Sequence, residues 1–362
     1  MKRLRIHHLA PVLVATALLA SPAFAGITER AQASRNKDKL TTINIPLSGW
    51  TSVAASKGWL QEEYARYGLQ VRIVDPGTSS LSGAEASLLS RGDLHFASRM
   101  SYPALVHKTN GIQASIIWVS GKSDVYRTPF LALKDSKIES LADVDGKVFA
   151  SSRVGCGWSS PYESLRANGK PLATNDDNGA VRYMNMGNST ATVAALLSGR
   201  IDFTATHIAI NPWSALVTQG AVKVIGRSVE NGVYTNAAGR PAYFAMTDFV
   251  NKHPELVRAF LRVRQRTVEW IAANPAEAAS IVARETRVPK YVAKFQIVDP
   301  SAFDSMPGEP DADAAIAGYK AFQKWYKENG DDILSRQSLS DQEIESFVDR
   351  RFFRGGEYSA YN

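Results

Sequence analysis

Residues 136–169 read SKIESLADVDGKVFASSRVGCGWSSPYESLRANG. SLADVDGK has the composition of a short helix and turn, and VFASS is a strand-like apolar run. SPYESLRANG reads as a helix. Between strand and helix lies a loop rich in serine and glycine, with Arg153, Gly155, the chain's single cysteine Cys156, Gly157 and Trp158. Such a loop suits a nucleophile, a phosphate cradle or an anion pocket. Glycines admit a ligand close to the backbone, and a helix start points free N–H groups at negative charge.

The same rhythm extends outward in both directions. Upstream, TTINIPL (41–47), LQVRIVD (69–75), LHFAS (94–98) and IQASIIWVS (112–120) are strands. The helices between them are TSVAASKGWLQEEYARYG (51–68), SGAEASLLSRGD (82–93) and YPALVHKTNG (102–111). The pattern restarts with TPFLALKDS (128–136). Downstream of the opening stretch come AVRYMNM (180–186), STATVAALLSGRID (189–202), FTATHIAI (203–210), PWSALVTQGA (212–221) and VKVIGRS (222–228). Alternating strands and helices define an α/β layered architecture, here in two units. Two segments echo each other across the units, LLSRGDLHFAS (88–98) and LLSGRIDFTAT (196–206). The remainder is helical: NKHPELVRAFLRVRQRTVEWIAANP (251–275), PAEAASIVARETRVP (275–289) and DADAAIAGYKAFQKWYKENG (311–330).

The N-terminus is a targeting signal in composition. Lys2, Arg3 and Arg5 precede an apolar stretch from Leu9 to Leu19, and Ala23-Phe24-Ala25 supplies small residues for cleavage. This predicts a secretory signal peptide, residues 1–25, cut after Ala25. The apolar stretch is too short to span a bilayer. A polar leader, 26–40, follows. Removing residues 1–25 takes away three positive charges and no acid, lowering the formal net charge from +7 to +4. With 44% hydrophobic and 21% charged residues, the chain has a globular composition. No basic stripe with interleaved aromatics appears, so no nucleic-acid partner is expected. One cysteine excludes an internal disulfide.

Five segments in order carry a resemblance: VAASKGWLQEEYARYGLQVRIVD, the LLSRGD echo, SKIESLADVDGKVFASS with its serine/glycine loop, the LLSGRID echo and AYFAMTDFVNKHPELVRAFLRV. Over residues 41–330 the chain resembles the substrate-binding proteins of aliphatic sulfonate, taurine and nitrate ABC importers. The resemblance implies a two-lobed periplasmic binding protein of type II. Each lobe is a mixed sheet flanked by helices, and two crossover strands join them. Lobe one would be 41–129 plus 243–335, and lobe two 130–242, with 336–362 as a C-terminal extension. Hinges are expected near Thr128-Pro129-Phe130 and Arg240-Pro241-Ala242-Tyr243. The implied function is capture of a small organic anion, sulfonate-like or carboxylate, in the interlobe cleft. The partners implied are that solute and a membrane permease. The protein would be monomeric and periplasmic, with no cofactor and no metal.

Clefts in α/β units lie beyond the carboxyl ends of strands, which selects the candidate ligand residues. In lobe one these are Ser48, Gly49, Trp50 and Thr51 after the first strand. Trp50 is either a lid or a surface aromatic. Ser98, Arg99 and Met100 follow the third strand. Arg99 departs from the family pattern and suits an acidic ligand through a bidentate pair, or else forms an interlobe salt bridge. In lobe two the candidates are Arg153, Gly155, Cys156, Gly157, Trp158, Ser159 and Ser160, then Asn188, which is also a natural helix cap, and His207 and Asn211. Tyr243 lines the cleft or belongs to the core. In an alternative reading, Cys156 is the nucleophile of a desulfinase-like enzyme on the same fold. That enzyme type places its cysteine in the first lobe, whereas Cys156 falls in the second. The cysteine-rich motif of the related thiamine-pyrimidine synthase is absent. No metal-ligand spacing, Walker sequence or dinucleotide fingerprint appears, so an enzyme is not expected.

Overall fold

The structure is a computed structural model. It describes residues 40–75, 82–121, 128–153, 156–173, 179–187, 189–228, 241–299, 302, 306–329 and 337–361; for 82–86, 101–103 and 156 it describes the backbone alone. The predicted signal peptide, nearly all of the leader, Gly155 and Asn188 lie outside the described residues.

Among the described residues the strands are β1 (Thr42–Pro46), β2 (Gln70–Val74), β3 (Ala97–Met100), β4 (Ala114–Val119), β5 (Pro129–Leu133), β6 (Val148–Ser151), β7 (Leu172–Ala173), β8 (Val181–Asn185), β9 (Phe203–Ala205), β10 (Val222–Arg227) and β11 (Pro241–Met246). The helices are α1 (Gly49–Ser56), α2 (Trp59–Ala65), α3 (Ser82–Arg91), α4 (Ser101–Thr109), α5 (Cys156–Ala167), α6 (Ser189–Leu197), α7 (Trp213–Thr218), α8 (Thr247–Lys252), α9 (Pro254–Ala273), α10 (Pro275–Thr286), α11 (Lys290–Val298), α12 (Ala312–Asn329) and α13 (Asp341–Phe347).

Two groups of strands result. In one, β1 pairs in parallel with β2, and β11 lies between β3 and β4, antiparallel to both. The segment before β3 reaches β1 through His95, whose N–H donates to the Asn44 carbonyl at 3.0 Å. The other is a six-stranded mixed sheet in the order β10-β5-β9-β6-β8-β7. The chain leaves the first group after β4 and returns to it at β11, so it crosses twice. Ser120 N–H donates to the Pro241 carbonyl at 2.9 Å and Ser228 N–H to the Thr128 carbonyl at 2.8 Å, tying the two crossings together at both ends. Most of both crossings, 122–127 and 229–240, is outside the described residues.

Local chemistry explains the elements. Ile43 and Ile45 alternate inward along β1 and are fully buried. Pro254 opens α9 at a position where its missing N–H costs nothing. The helix expected over 51–68 is two helices. Gly58 sits between them at φ 75°, a left-handed conformation that ends one turn and starts the next. Helix α5 begins at Cys156, earlier than the expected serines, so Ser159 and Ser160 lie within it.

The core joins both groups. Phe130, Phe149 and Phe203 of the six-stranded sheet belong to one cluster with Phe244 and with Tyr319 and Phe322 of α12. Tyr162 of α5 packs edge-on against Trp325 of α12, ring centroids 5.9 Å apart. The C-terminal extension is woven into the sheet edge: Asp349 N–H donates to the Ile116 carbonyl at 2.9 Å, and Phe347 and Phe352 are buried.

Candidate functional site

An open cleft of about 710 Å3 is lined by residues at strand ends of both groups. From the first side it is lined by Leu47, Ser48 and Gly49 after β1, Asp75 after β2, and Ser98 in β3. From the second side come Ala209, Ile210 and Asn211, which follow β9. The third wall is helical: Val282, Glu285, Thr286 and Arg287 at the end of α10, and Gln296 and Ile297 of α11. The structure therefore brings together Ser48, Gly49, Ser98 and Asn211 of the expected residues.

The floor of the cleft is built by a helix cap. The Ser48 hydroxyl accepts from Thr51 N–H at 3.3 Å, and the Thr51 hydroxyl accepts from Ser48 N–H at 2.7 Å. This reciprocal pair fixes the start of α1. Ser52 N–H closes the turn on the Ser48 carbonyl at 3.0 Å, and the positive end of the helix dipole favours negative charge here. Thr51 itself is fully buried, its hydroxyl donating to the Pro46 carbonyl at 2.8 Å. Across the cleft, Asn211 is exposed, and its Oδ1 accepts from the Ser214 hydroxyl at 2.9 Å and from Gln296 Nε2 at 3.1 Å. Gln296 also donates to the Ser214 hydroxyl at 2.9 Å, so α11 bridges to α7. Phe295 packs on the apolar cluster of the second sheet that holds Trp213.

Several expectations are corrected. Trp50 is neither a lid nor a surface aromatic. It is fully buried, its indole N–H donates to the Tyr243 hydroxyl at 2.7 Å, and it meets Phe260 edge-on at 5.1 Å. Tyr243 is core for the same reason, 3% exposed between Trp50, Trp118 and Phe260. Arg99 is not among the lining residues. Strand alternation sends it to the face opposite Ser98, and its charge is felt at His107, adding to the burial that lowers that ring's pKa to about 4. Met100 is partly buried and pairs with Pro241 across the sheet.

Trp158, Ser159 and Ser160, which follow the serine/glycine loop, are packed inward. Trp158 is 2% exposed, and Ser159 and Ser160 are buried, so these residues present no open hydroxyl surface. The Arg153 guanidinium lies over the Trp158 ring, 4.8 Å from its centroid, and Arg153 N–H donates to Asn185 Oδ1 at 3.2 Å. Gly157 makes a close approach: a Cβ there would stand 2.4 Å from the Ser152 hydroxyl, which would have to rotate away. Cys156 is the first residue of α5. His207 is buried, which lowers its pKa to about 3 and leaves the ring neutral, with no charge to offer an anion. Among the described residues no three of His, Cys, Asp and Glu form a metal-sized group, and no helix is long and apolar enough to cross a membrane.

Sequence reasoning missed the helical wall. Its members sit in amphipathic helices whose periodicity speaks only of packing. No local pattern marks Asp75 or Arg287.

Two groups of strands, a double crossing and a cleft at strand ends define a two-lobed α/β binding-protein fold of the type II periplasmic class. Solved structures of that fold match over most of the chain. The periplasmic aliphatic sulphonate binding protein SsuA of Escherichia coli is 16% identical, with TM-score 0.64, covering 86% of this chain and 92% of that one. The alkanesulfonate-binding protein SsuA of Xanthomonas axonopodis pv. citri, bound to MOPS, is 14% identical, with TM-score 0.64, covering 86% and 99%. A DSZB variant in complex with biphenyl-2-sulfinic acid is 14% identical, with TM-score 0.55, covering 88% and 96%. No protein of curated function matches the sequence significantly. The family model described as NMT1/THI5 like matches residues 50–278, and the chain belongs to that family.

Proposed function

We propose that the protein is the extracytoplasmic solute-binding component of an ABC importer and takes a small organic anion, a sulfonate or carboxylate, into its cleft. The observation that carries this reading is the cleft itself, lined at strand ends from both groups of strands and by the capped start of α1. Leu47, Ile210, Val282 and Ile297 supply an apolar wall for a hydrocarbon body. The first turn of α1 and the polar edges of Ser98 and Asn211 suit a charged head group.

In this reading residues 41–129 and 243–335 move as lobe one and 130–242 as lobe two. Closure occurs about the two crossings, and the permease reads the closed form. The protein is exported to the periplasm after cleavage at Ala25 and works as a monomer. The SsuA proteins supply the analogy for ligand class, sulfonate being the group named for them. A thermal-shift and calorimetry screen of alkyl and aryl sulfonates, carboxylates and taurine tests it. A one-to-one complex with at least one organic anion is the expected result; no binding across the screen rejects the reading.

The likeness to DSZB supports a second reading, sulfinate cleavage through Cys156. Turnover of an aryl sulfinate, measured as sulfite release, separates the two.

A further inference from the structure

The sequence pointed to Arg99 for the ligand's charge, yet that side chain faces away from the cleft. A different arginine lines it. Arg287 follows the last turn of α10, is exposed, and lines the same cleft as Ser48 and Ser98. Among the described residues its guanidinium makes no ion pair. Its acidic neighbour Glu285 is engaged by Arg284 at 2.9 Å.

The backbone makes Arg287 unusual. It has φ 58° and ψ 35°, in the left-handed region. Among the described residues every other position with positive φ, nine in all, is a glycine. Glycine or asparagine suits such a helix end, because a Cβ there meets the following carbonyl. Among the described residues, here alone a long cationic side chain stands at a position where glycine is the stable choice. Residues held in this way cluster where function retains them.

We propose that Arg287 is the specificity-determining residue of the cleft: its guanidinium receives the sulfonate or carboxylate of a ligand whose hydrocarbon body lies on Leu47, Ile210, Val282 and Ile297. The left-handed turn aims the side chain back across the end of α10 into the cleft instead of along the helix. Asp75 and Glu285 line the same cleft, and their charges disfavour an anion elsewhere in it. A guanidinium presents paired N–H donors that match two oxygens of either head group. The inference rests on the binding function proposed above.

The test is calorimetry on the full mature chain with hexanesulfonate, hexanoate and their uncharged amides, hexanesulfonamide and hexanamide. Arg287→Gly removes the guanidinium and keeps the left-handed backbone without strain. It is expected to weaken binding of whichever anion the wild type takes by roughly ten- to a hundredfold. The weak binding of the matching amide should not change, and the thermal midpoint without ligand should be equal or higher. Arg287→Lys should lose less. Equal anion affinity in wild type and Arg287→Gly overturns the assignment while leaving the binding function standing. Failure of the wild type to bind any organic anion rejects both.

Discussion

Acidification from pH 8 to pH 5 should strip this protein of much of its stability, through three buried imidazoles. His95 is 9%, His107 5% and His207 9% exposed. Burial lowers the pKa of His95 and His107 to about 4 and of His207 to about 3, with nearby positive charge from His253 and Arg99 adding to the first two. Asn44 N–H donates to His95 Nδ1 at 2.9 Å, which places the neutral ring's proton on Nε2. In the unfolded chain each ring titrates near 6.5. Between those values the unfolded chain holds more protons than the folded one, so stability is present above about pH 6.5 and falls as pH drops toward 4. At pH 5 each ring costs about 2 kcal/mol, and three cost about 6 kcal/mol. That is comparable to the whole stability of an ordinary domain, about 5–15 kcal/mol. The carboxylates whose pKa values are lowered, Asp143, Asp313 and Glu343, are exposed and titrate at more acid pH, outside this window. Urea unfolding at pH 8, 6 and 5 measures the effect. His107→Gln should remove about a third of the pH dependence. Unfolding free energies that are level from pH 8 to pH 5 would refute the reasoning.

Arg99→Ala should leave anion affinity within about twofold, because the side chain lies on the far face of β3; a tenfold loss by calorimetry would return it to the cleft. Trp50→Ala should destabilise by about 3–5 kcal/mol in urea unfolding, since a fully buried indole and its hydrogen bond to Tyr243 are removed. A loss below about 1 kcal/mol would contradict its place in the core. Cys156→Ser should leave ligand affinity unchanged, and sulfite release from an aryl sulfinate that vanishes in this variant would favour the enzymatic reading. Intact mass of the exported protein should begin at Gly26.

The order of elements was legible because period-2 and period-3.6 patterns survive in the sequence: Ile43 and Ile45 alternate inward, and Leu256, Phe260 and Val263 fall on the buried side of α9. The break at Gly58 was not, because an isolated glycine inside a helical pattern is tolerated as well as found at helix ends. Of the site, Ser48, Gly49, Ser98 and Asn211 could be found from their place after strands. Trp50 could not be assigned, since position alone does not tell which side of a helix turn meets the core. Phe260, some two hundred residues away, decides it. The helical wall was hidden for the same reason: α10 and α11 reach the cleft only through tertiary packing, and a left-handed backbone at an arginine leaves no mark in sequence.

The cleft as the place where an organic anion binds is tested most directly by calorimetry of the wild type and Ser98→Trp, which fills the cleft from β3. The sulfonate or carboxylate that binds the wild type best should do so one to one, at least tenfold more tightly than its uncharged amide, and should lose measurable binding to Ser98→Trp. Equal affinity for acid and amide, or full affinity in Ser98→Trp, would contradict the account.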